Sequence, residues 1–204
     1  MRTIQVATGL ALTALIAAGC SDEGPDTSGA AGDEESVAEP TNSPSVTAAT
    51  FLPPGEGAGA VTYDETAVPE GATADVQVSV DEEESQVQFT ATGLEPDRDF
   101  GAHVHTEPCG DDPDDSGPHY QDEADPAADE DNPSTDPEYA NPDNEVWLDF
   151  TTDASGNGDA TATVPWQFRE GEAQSLVLHE EHTATEEGEA GQAGDRLGCV
   201  TVEF

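Results

Sequence analysis

Period-two alternation organises this chain. Val76, Val78 and Val80 fall on one face of an extended run from Thr73 to Val80, and Val87 and Phe89 on one face of Gln86 to Thr92. Successive side chains of a strand point to opposite faces, so each run reads as a half-buried strand. The same logic predicts strands at Ala60 to Tyr63, Asp99 to Thr106, Glu145 to Thr152 (Val146, Leu148 and Phe150 alternating), Ala160 to Trp166, Gln174 to Glu180 and Arg196 to Phe204. Turn chemistry separates them: Asp81-Glu82-Glu83-Glu84, then Gly93-Leu94-Glu95-Pro96-Asp97, then Asp153-Ala154-Ser155-Gly156-Asn157-Gly158. Eight short strands with no stretch of helical period predict an all-β sandwich or barrel.

Long segments without that alternation set the boundaries. Residues 21–55 are Asp, Glu, Ser, Thr, Gly, Ala and Pro with almost no large apolar side chains, too few to offset their ordering entropy, and are expected to be a disordered acidic tether. Residues 56–204 suffice for one domain with its own core. Within it, Gly110 to Asn144 is acidic and broken by proline, and a loop of that length in a compact domain is usually functional or disordered. At the start, Arg2 precedes an apolar run from Ile4 to Ala18, too short to span a bilayer but suited to a secretory signal. The run ends Ala17-Ala18-Gly19-Cys20, which resembles a bacterial lipoprotein signal with Cys20 as the lipidated mature N-terminus. A plain cleaved signal peptide, residues 1–20, is the alternative. Both place the mature protein outside the cytoplasm, with a membrane contact only through an N-terminal lipid.

Charge narrows the partners. There are 46 acidic residues against four arginines and no lysine, a formal net charge of −42. Nucleic acid is excluded as a partner, because its binding is driven by cationic neutralisation of phosphates. Such a surface repels itself in dilute buffer and is tolerable where salt screens it, the Debye length being about 3 Å at 1 M, which points to a halophilic or salt-exposed source.

The candidate chemistry lies in a few residues. His103 and His105, two apart on an extended segment, project from one face, and only His119, His179 and His182 remain to complete a metal site. Imidazole ligation without thiolate suits copper or zinc, and a tetragonal nitrogen site favours Cu(II). His182 is expected to be an ordinary loop residue. With Cys20 given to lipid, Cys109 and Cys199 are expected to pair in an oxidising compartment, two free thiols being the alternative; the bridge would close a loop of about 90 residues.

Gly101-Ala102-His103-Val104-His105, Gly117-Pro118-His119-Tyr120, Leu176-Val177-Leu178-His179-Glu180 and Ala193-Gly194-Asp195-Arg196-Leu197-Gly198-Cys199 occur in an order that resembles the copper/zinc superoxide dismutase family. The resemblance runs from about Gly59 to Phe204 and implies an eight-stranded Greek-key β-barrel or sandwich with long acidic loops. It implies that His103, His105, His119 and His179 are copper ligands, His119 standing where the family's imidazolate bridges copper to zinc. It further implies that Arg196 guides superoxide beside the copper and that Cys109 and Cys199 form the family's intrachain disulfide. The zinc half does not carry over, because Tyr120 to Asp149 contains no histidine and carboxylates alone are poor zinc ligands. Copper without zinc is therefore expected, with Asp143, Asn144 or Glu145 as candidates to hold the second nitrogen of His119. The loop from Glu180 to Asp195 carries Glu181, Glu186, Glu187 and Glu189, which repel an anion.

The expected function is thus an extracytoplasmic, copper-dependent superoxide dismutase, with superoxide as its substrate. The alternatives are a copper-buffering module on the same fold and a degenerate barrel used for adhesion, since fold alone does not fix function. Arg196 separates the first from the second, because a storage site needs no anion-orienting guanidinium.

Overall fold

The computed structural model describes residues 44–56, 59–129 and 132–204. The expected signal segment, Cys20 and tether residues 21–43 lie outside the described residues.

Nine strands form among the described residues: β1 (Ser45–Thr50), β2 (Ala60–Thr62), β3 (Thr73–Val80), β4 (Ser85–Thr92), β5 (Asp99–His105), β6 (Phe150–Thr151), β7 (Gly158–Val164), β8 (Ser175–His179) and β9 (Arg196–Thr201). They build two antiparallel sheets in the orders β1-β3-β4-β7 and β2-β9-β8-β5-β6. The architecture is therefore a sandwich and not a closed barrel. Val76, Val78, Val87 and Phe89 from the first sheet and Phe100, Ala102, Val104, Leu176 and Leu178 from the second fill one hydrophobic core. Phe150 binds the layers, its ring 5.3 Å from Phe89 and 5.2 Å from Phe100.

Two sequence expectations are corrected. Residues 45–50, assigned to the tether, are instead β1, paired with β3 from Ser45↔Val78 to Thr50↔Thr73, and Phe51 beyond them is fully buried. Their small, uncharged residues lie at a sheet edge and are mostly exposed, so no alternation marks them. The strand expected from Glu145 to Thr152 forms a regular ladder only at β6. Its earlier residues are held by isolated bridges, Gln121↔Glu145 and His103↔Trp147, yet Val146, Leu148 and Phe150 still face the core.

β5 is buried on both faces. Phe100, Ala102 and Val104 enter the core, whereas Gly101, His103 and His105 lie on the outer face, covered by loops. Gly101 allows that cover to approach closely: a Cβ there would lie 2.5 Å from the Glu181 carbonyl oxygen and 2.8 Å from Ala193 Cβ. The other cover, residues 121–145, is pinched at its base, where Asp122 N–H donates to Asn144 O at 2.9 Å beside the Gln121↔Glu145 bridge. A disulfide joins Cys109 to Cys199 in β9, with Cα atoms 5.7 Å apart.

A bridge spanning 90 residues constrains the unfolded chain by about 4–5 kcal/mol in the chain-entropy model. Cys109→Ser should therefore lower the melting midpoint by on the order of 10 °C while leaving metal uptake intact, since neither sulfur belongs to the histidine cluster. Thermal unfolding with and without reductant checks this, and an unchanged midpoint would contradict the loop-entropy account.

Candidate metal centre

β5 delivers His103 and His105 two residues apart on its outer face. β8 pairs with β5 so that Gly101 faces His179, which places a third imidazole at the end of the neighbouring strand. The fourth arrives through a loop. After Cys109 a short 3-10 helix, Pro113–Ser116, is opened by Asp112, whose side chain accepts from Asp114 N–H. Gly117 follows at φ +70°, a left-handed turn suited to glycine, and a Cβ there would meet Thr106 Oγ1 at 2.6 Å. The chain then runs against the end of β5: Thr106 N–H donates to Pro118 O at 3.0 Å and Tyr120 N–H to Val104 O at 2.8 Å, setting His119 opposite His105.

One ligand atom from each of His103, His105, His119 and His179 lies within 4.8 Å of the others. All four rings predicted as copper ligands are brought together. Each ring is also held from outside. His105 Nδ1 lies 2.8 Å from Gly117 O, His179 Nδ1 3.4 Å from Gly194 O, His119 Nδ1 3.0 Å from Glu145 Oε2, and His103 Nε2 2.7 Å from Thr183 Oγ1. The remaining nitrogens point to each other: His105 Nε2 and His179 Nε2 are 3.3 Å apart, and His103 Nδ1 is buried without a hydrogen-bond partner. An orphaned, buried imidazole nitrogen beside three rings fixed by their outer nitrogens fits a metal ion held by four nitrogen donors.

Electrostatics agree. Burial pushes the pKa values of His103 and His105 well below the ordinary histidine value, helped by the mutual repulsion of neighbouring rings, and lowers that of His179 to about 3. These rings are neutral and keep lone pairs for a cation. Glu145, 1 % exposed, is the group that holds His119. Its burial raises the carboxyl pKa, but His119 and the hydrogen bonds from His119, Trp147 Nε1 (2.7 Å) and Gln121 Nε2 (2.8 Å) outweigh this and leave it below the ordinary value.

Arg196 opens β9 directly opposite His179, across a register shift between Leu178 and His179. It lines a cavity of about 720 Å³ together with His119 and His179. Its Nη1 donates to Pro113 O and Ser116 Oγ, both at 2.9 Å, and lies 4.0 Å from Asp114. Glu107, Asp125 and Glu172 also line the cavity. His182 stays outside the cluster, 3.1 Å from Phe150 O.

Of the candidates for the second nitrogen of His119, Glu145 is the partner; Asp143 and Asn144 are not. Trp147, Asp149 and Thr183 were not anticipated. A signal existed for the first two: where Val146, Leu148 and Phe150 face the core, Glu145, Trp147 and Asp149 must share the opposite face, towards the histidines.

Neutral buried histidines make the metal-free fold acid-sensitive. Unfolded histidines protonate near pH 6.5, whereas the native rings resist to much lower pH, so the unfolded state binds more protons between about 6.5 and 3 and native stability falls as pH falls through that window. Each such ring contributes up to about 1.4 kcal/mol per pH unit. Urea unfolding of metal-stripped protein at pH 7, 6 and 5, in about 1 M salt to screen the carboxylates, should show a steadily falling midpoint. A flat profile would mean that the rings are solvated.

Comparison with known proteins places this geometry. A sequence model described as copper/zinc superoxide dismutase matches residues 72–202, more than half of the chain. Among solved structures, Cu/Zn superoxide dismutase from Brucella abortus shares the fold with a TM-score of 0.50 at 17% identity, over 78% of this chain and 99% of that one. A SOD-like protein from Bacillus subtilis gives a TM-score of 0.45 at 16% identity, over 70% of this chain and 95% of that one. No curated protein sequence matches. The match across β3 to β9, with the fold and the four-histidine cluster, means that the chain belongs to the copper/zinc superoxide dismutase family.

Proposed function

We propose that the protein is an extracytoplasmic superoxide dismutase that holds copper without zinc. The observation that carries this reading is the cluster of four imidazoles, each held from outside by one nitrogen, of which His119 and His179 open with Arg196 onto one cavity. Copper bound there supplies the one-electron chemistry that oxidises one superoxide to dioxygen and reduces the next to hydrogen peroxide. The chain's own part is positional. His103, His105, His119 and His179 hold the ion, and the low pKa values of His103, His105 and His179 keep protons from competing for their lone pairs. Arg196, its Nη1 braced by Pro113 O and Ser116 Oγ, offers charge and N–H donors to an anion entering the cavity.

The zinc-free reading is supported by Glu145, which takes the Nδ1 of His119 and does for the ring's orientation what a second metal would do. The extracytoplasmic reading is supported by the disulfide and by the apolar segment ending at Cys20. Lipid anchoring at Cys20 belongs to the same proposal. Copper buffering is the second reading, favoured by the acidic residues Glu107, Asp125 and Glu172 on the way in, which attract a cation more readily than an anion. An assay for superoxide consumption separates the two.

Purified protein loaded with metal and dialysed should retain about one copper per chain and negligible zinc, and should consume superoxide. Stoichiometric zinc would overturn the copper-only reading, and copper without turnover would leave the buffering role.

The salt dependence should also be unusual. A positive funnel loses rate as salt screens it, because steered association falls steeply with ionic strength. Here a chain of net charge −42 presents acidic groups to an anionic substrate, opposed locally by Arg196 and the metal. Turnover measured from about 0.02 to 1 M salt, on protein verified as folded, should rise or stay flat once the Debye length falls below about 10 Å. A steep fall would reveal a surviving positive funnel around Arg196.

A further inference from the structure

The first sheet ends at β1, and the outer edge of that strand is only partly used. Phe51 bonds to the β3 side, its N–H donating to Ala72 O and its carbonyl accepting from Gly71 N–H, both at 2.9 Å. Leu52 turns the other way. Its N–H donates to Ala60 O at 3.3 Å and its carbonyl accepts from Thr62 N–H at 3.0 Å, so β2 holds the outer edge at that point. Backbone groups of successive strand residues alternate between the two edges, hence Ser45, Thr47 and Ala49 bond to β3 while Val46, Ala48 and Thr50 direct theirs outward. Among the described residues nothing meets that outward row.

A row of free N–H and C=O groups is a template for another strand, and sheet edges are usually guarded by charge or proline. β1 has neither guard. No charged residue stands between Glu39 and Glu56, in a chain with 46 acidic ones. Val46, 58% exposed and on the outward-bonding row, is the one exposed large hydrophobic among the described residues. At the opposite end of the sheet β7 carries Asp159 and stops at Pro165.

Charge selects the occupant. The preceding segment of the same chain, residues 21–39, carries seven carboxylates, which disfavour a strand that would lie near Asp75 of β3. A cationic partner strand finds no carboxylate on β1 to meet. The uncharged sequence that fits β1 is β1 itself. We propose that β1 is a self-association edge, two copies of the chain pairing β1 to β1, antiparallel about a two-fold axis at Ala48, so that their four-stranded sheets join into one. In that register Ala48 meets Ala48 of the second copy and Val46 meets Thr50 of the second copy, and roughly six hydrogen bonds use the whole outward row. The ladder also ends without conflict: Leu52, already held by β2, stands opposite Pro44 of the second copy, which has no N–H to give.

The same register makes the contact dependent on salt. Ala48 lies beside Asp75, and strands in a sheet are about 4.8 Å apart, so the Asp75 carboxylates of the two copies stand about 14 Å from each other across the joined edge. No closer like-charge pair is needed for repulsion, because each copy brings a net charge of −42. A Debye length of about 3 Å at 1 M salt removes most of that repulsion, whereas about 30 Å at 0.01 M leaves it in force.

The test uses the whole chain, verified as folded by circular dichroism. Sedimentation at on the order of 100 µM protein should show twice the chain mass at about 1 M salt and the single mass at about 0.02 M. Ala48→Pro removes an outward N–H that the single chain does not use, and Ala48→Asp sets two carboxylates directly opposite one another; both should remain monomeric at about 1 M salt. Register is read by cross-linking in a Cys20→Ser background. Opposed residues of a hydrogen-bonded pair have Cα atoms about 5.5 Å apart, within disulfide reach, so Ala48→Cys should give a covalent dimer on mild oxidation. Val46→Cys should not, since its two copies would lie four residues, about 13 Å, out of register. A chain that stays monomeric at high salt, a dimer that survives both Ala48→Pro and Ala48→Asp, or equal cross-linking at positions 46 and 48 would overturn the proposal.

Discussion

One ligand nitrogen from each of four imidazoles lies within 4.8 Å of the others, and the three buried rings, His103, His105 and His179, share that space by staying uncharged. This neutrality is the constraint from which the rest of the site follows. A neutral ring has one donor and one acceptor nitrogen, so if one is to stay free for a metal the other must meet a fixed partner. Those partners sit in three segments: Gly117 in the loop after β5, Glu145 ahead of β6, and both Thr183 and Gly194 in the loop after β8. Loops that carry such partners have to be held as firmly as strands. The disulfide, the left-handed turn at Gly117 and the close approach over Gly101 are the means by which they are held.

How much of this could be read from the chain depended on whether a residue's environment was local. Val76, Val78, Val87 and Phe89 alternate because one sheet face meets a core, so their strands were legible. β1 was not, because an edge strand of small residues has no apolar stripe to display. The four clustered histidines stood out because the chain has only five histidines and two of them share a strand face. Glu145 could be narrowed to three neighbours and no further, since a hydrogen bond across 26 residues depends on the register of a long loop. Asp149 and Thr183 lie 34 residues apart and meet only through the folded arrangement of two loops, which no periodicity encodes.

The scarcity of cations gives each of the three arginines among the described residues a structural task. Arg169 donates to the carbonyl oxygens of Gln121 and Asp122, pairs with Glu172 and lies over the Tyr120 ring, with 4.7 Å between guanidinium carbon and ring centroid. Arg98 pairs with Glu95 and lies over Phe100, and Arg196 braces the 3-10 helix. Used in this way they secure loops to the sandwich and leave the carboxylates of the surface largely unneutralised.

The pinched base of the segment 121–145 separates two properties that are usually coupled. Because the segment leaves and returns at one point, with Gln121 and Asp122 against Glu145 and Asn144, the strand-borne floor of the cavity is indifferent to what is built between them. Yet Ala124, Asp125, Ala128 and Ser134 within it form a wall of that cavity. A change of side chain at those positions would resize or recharge the entrance without touching the contacts that hold the four histidines.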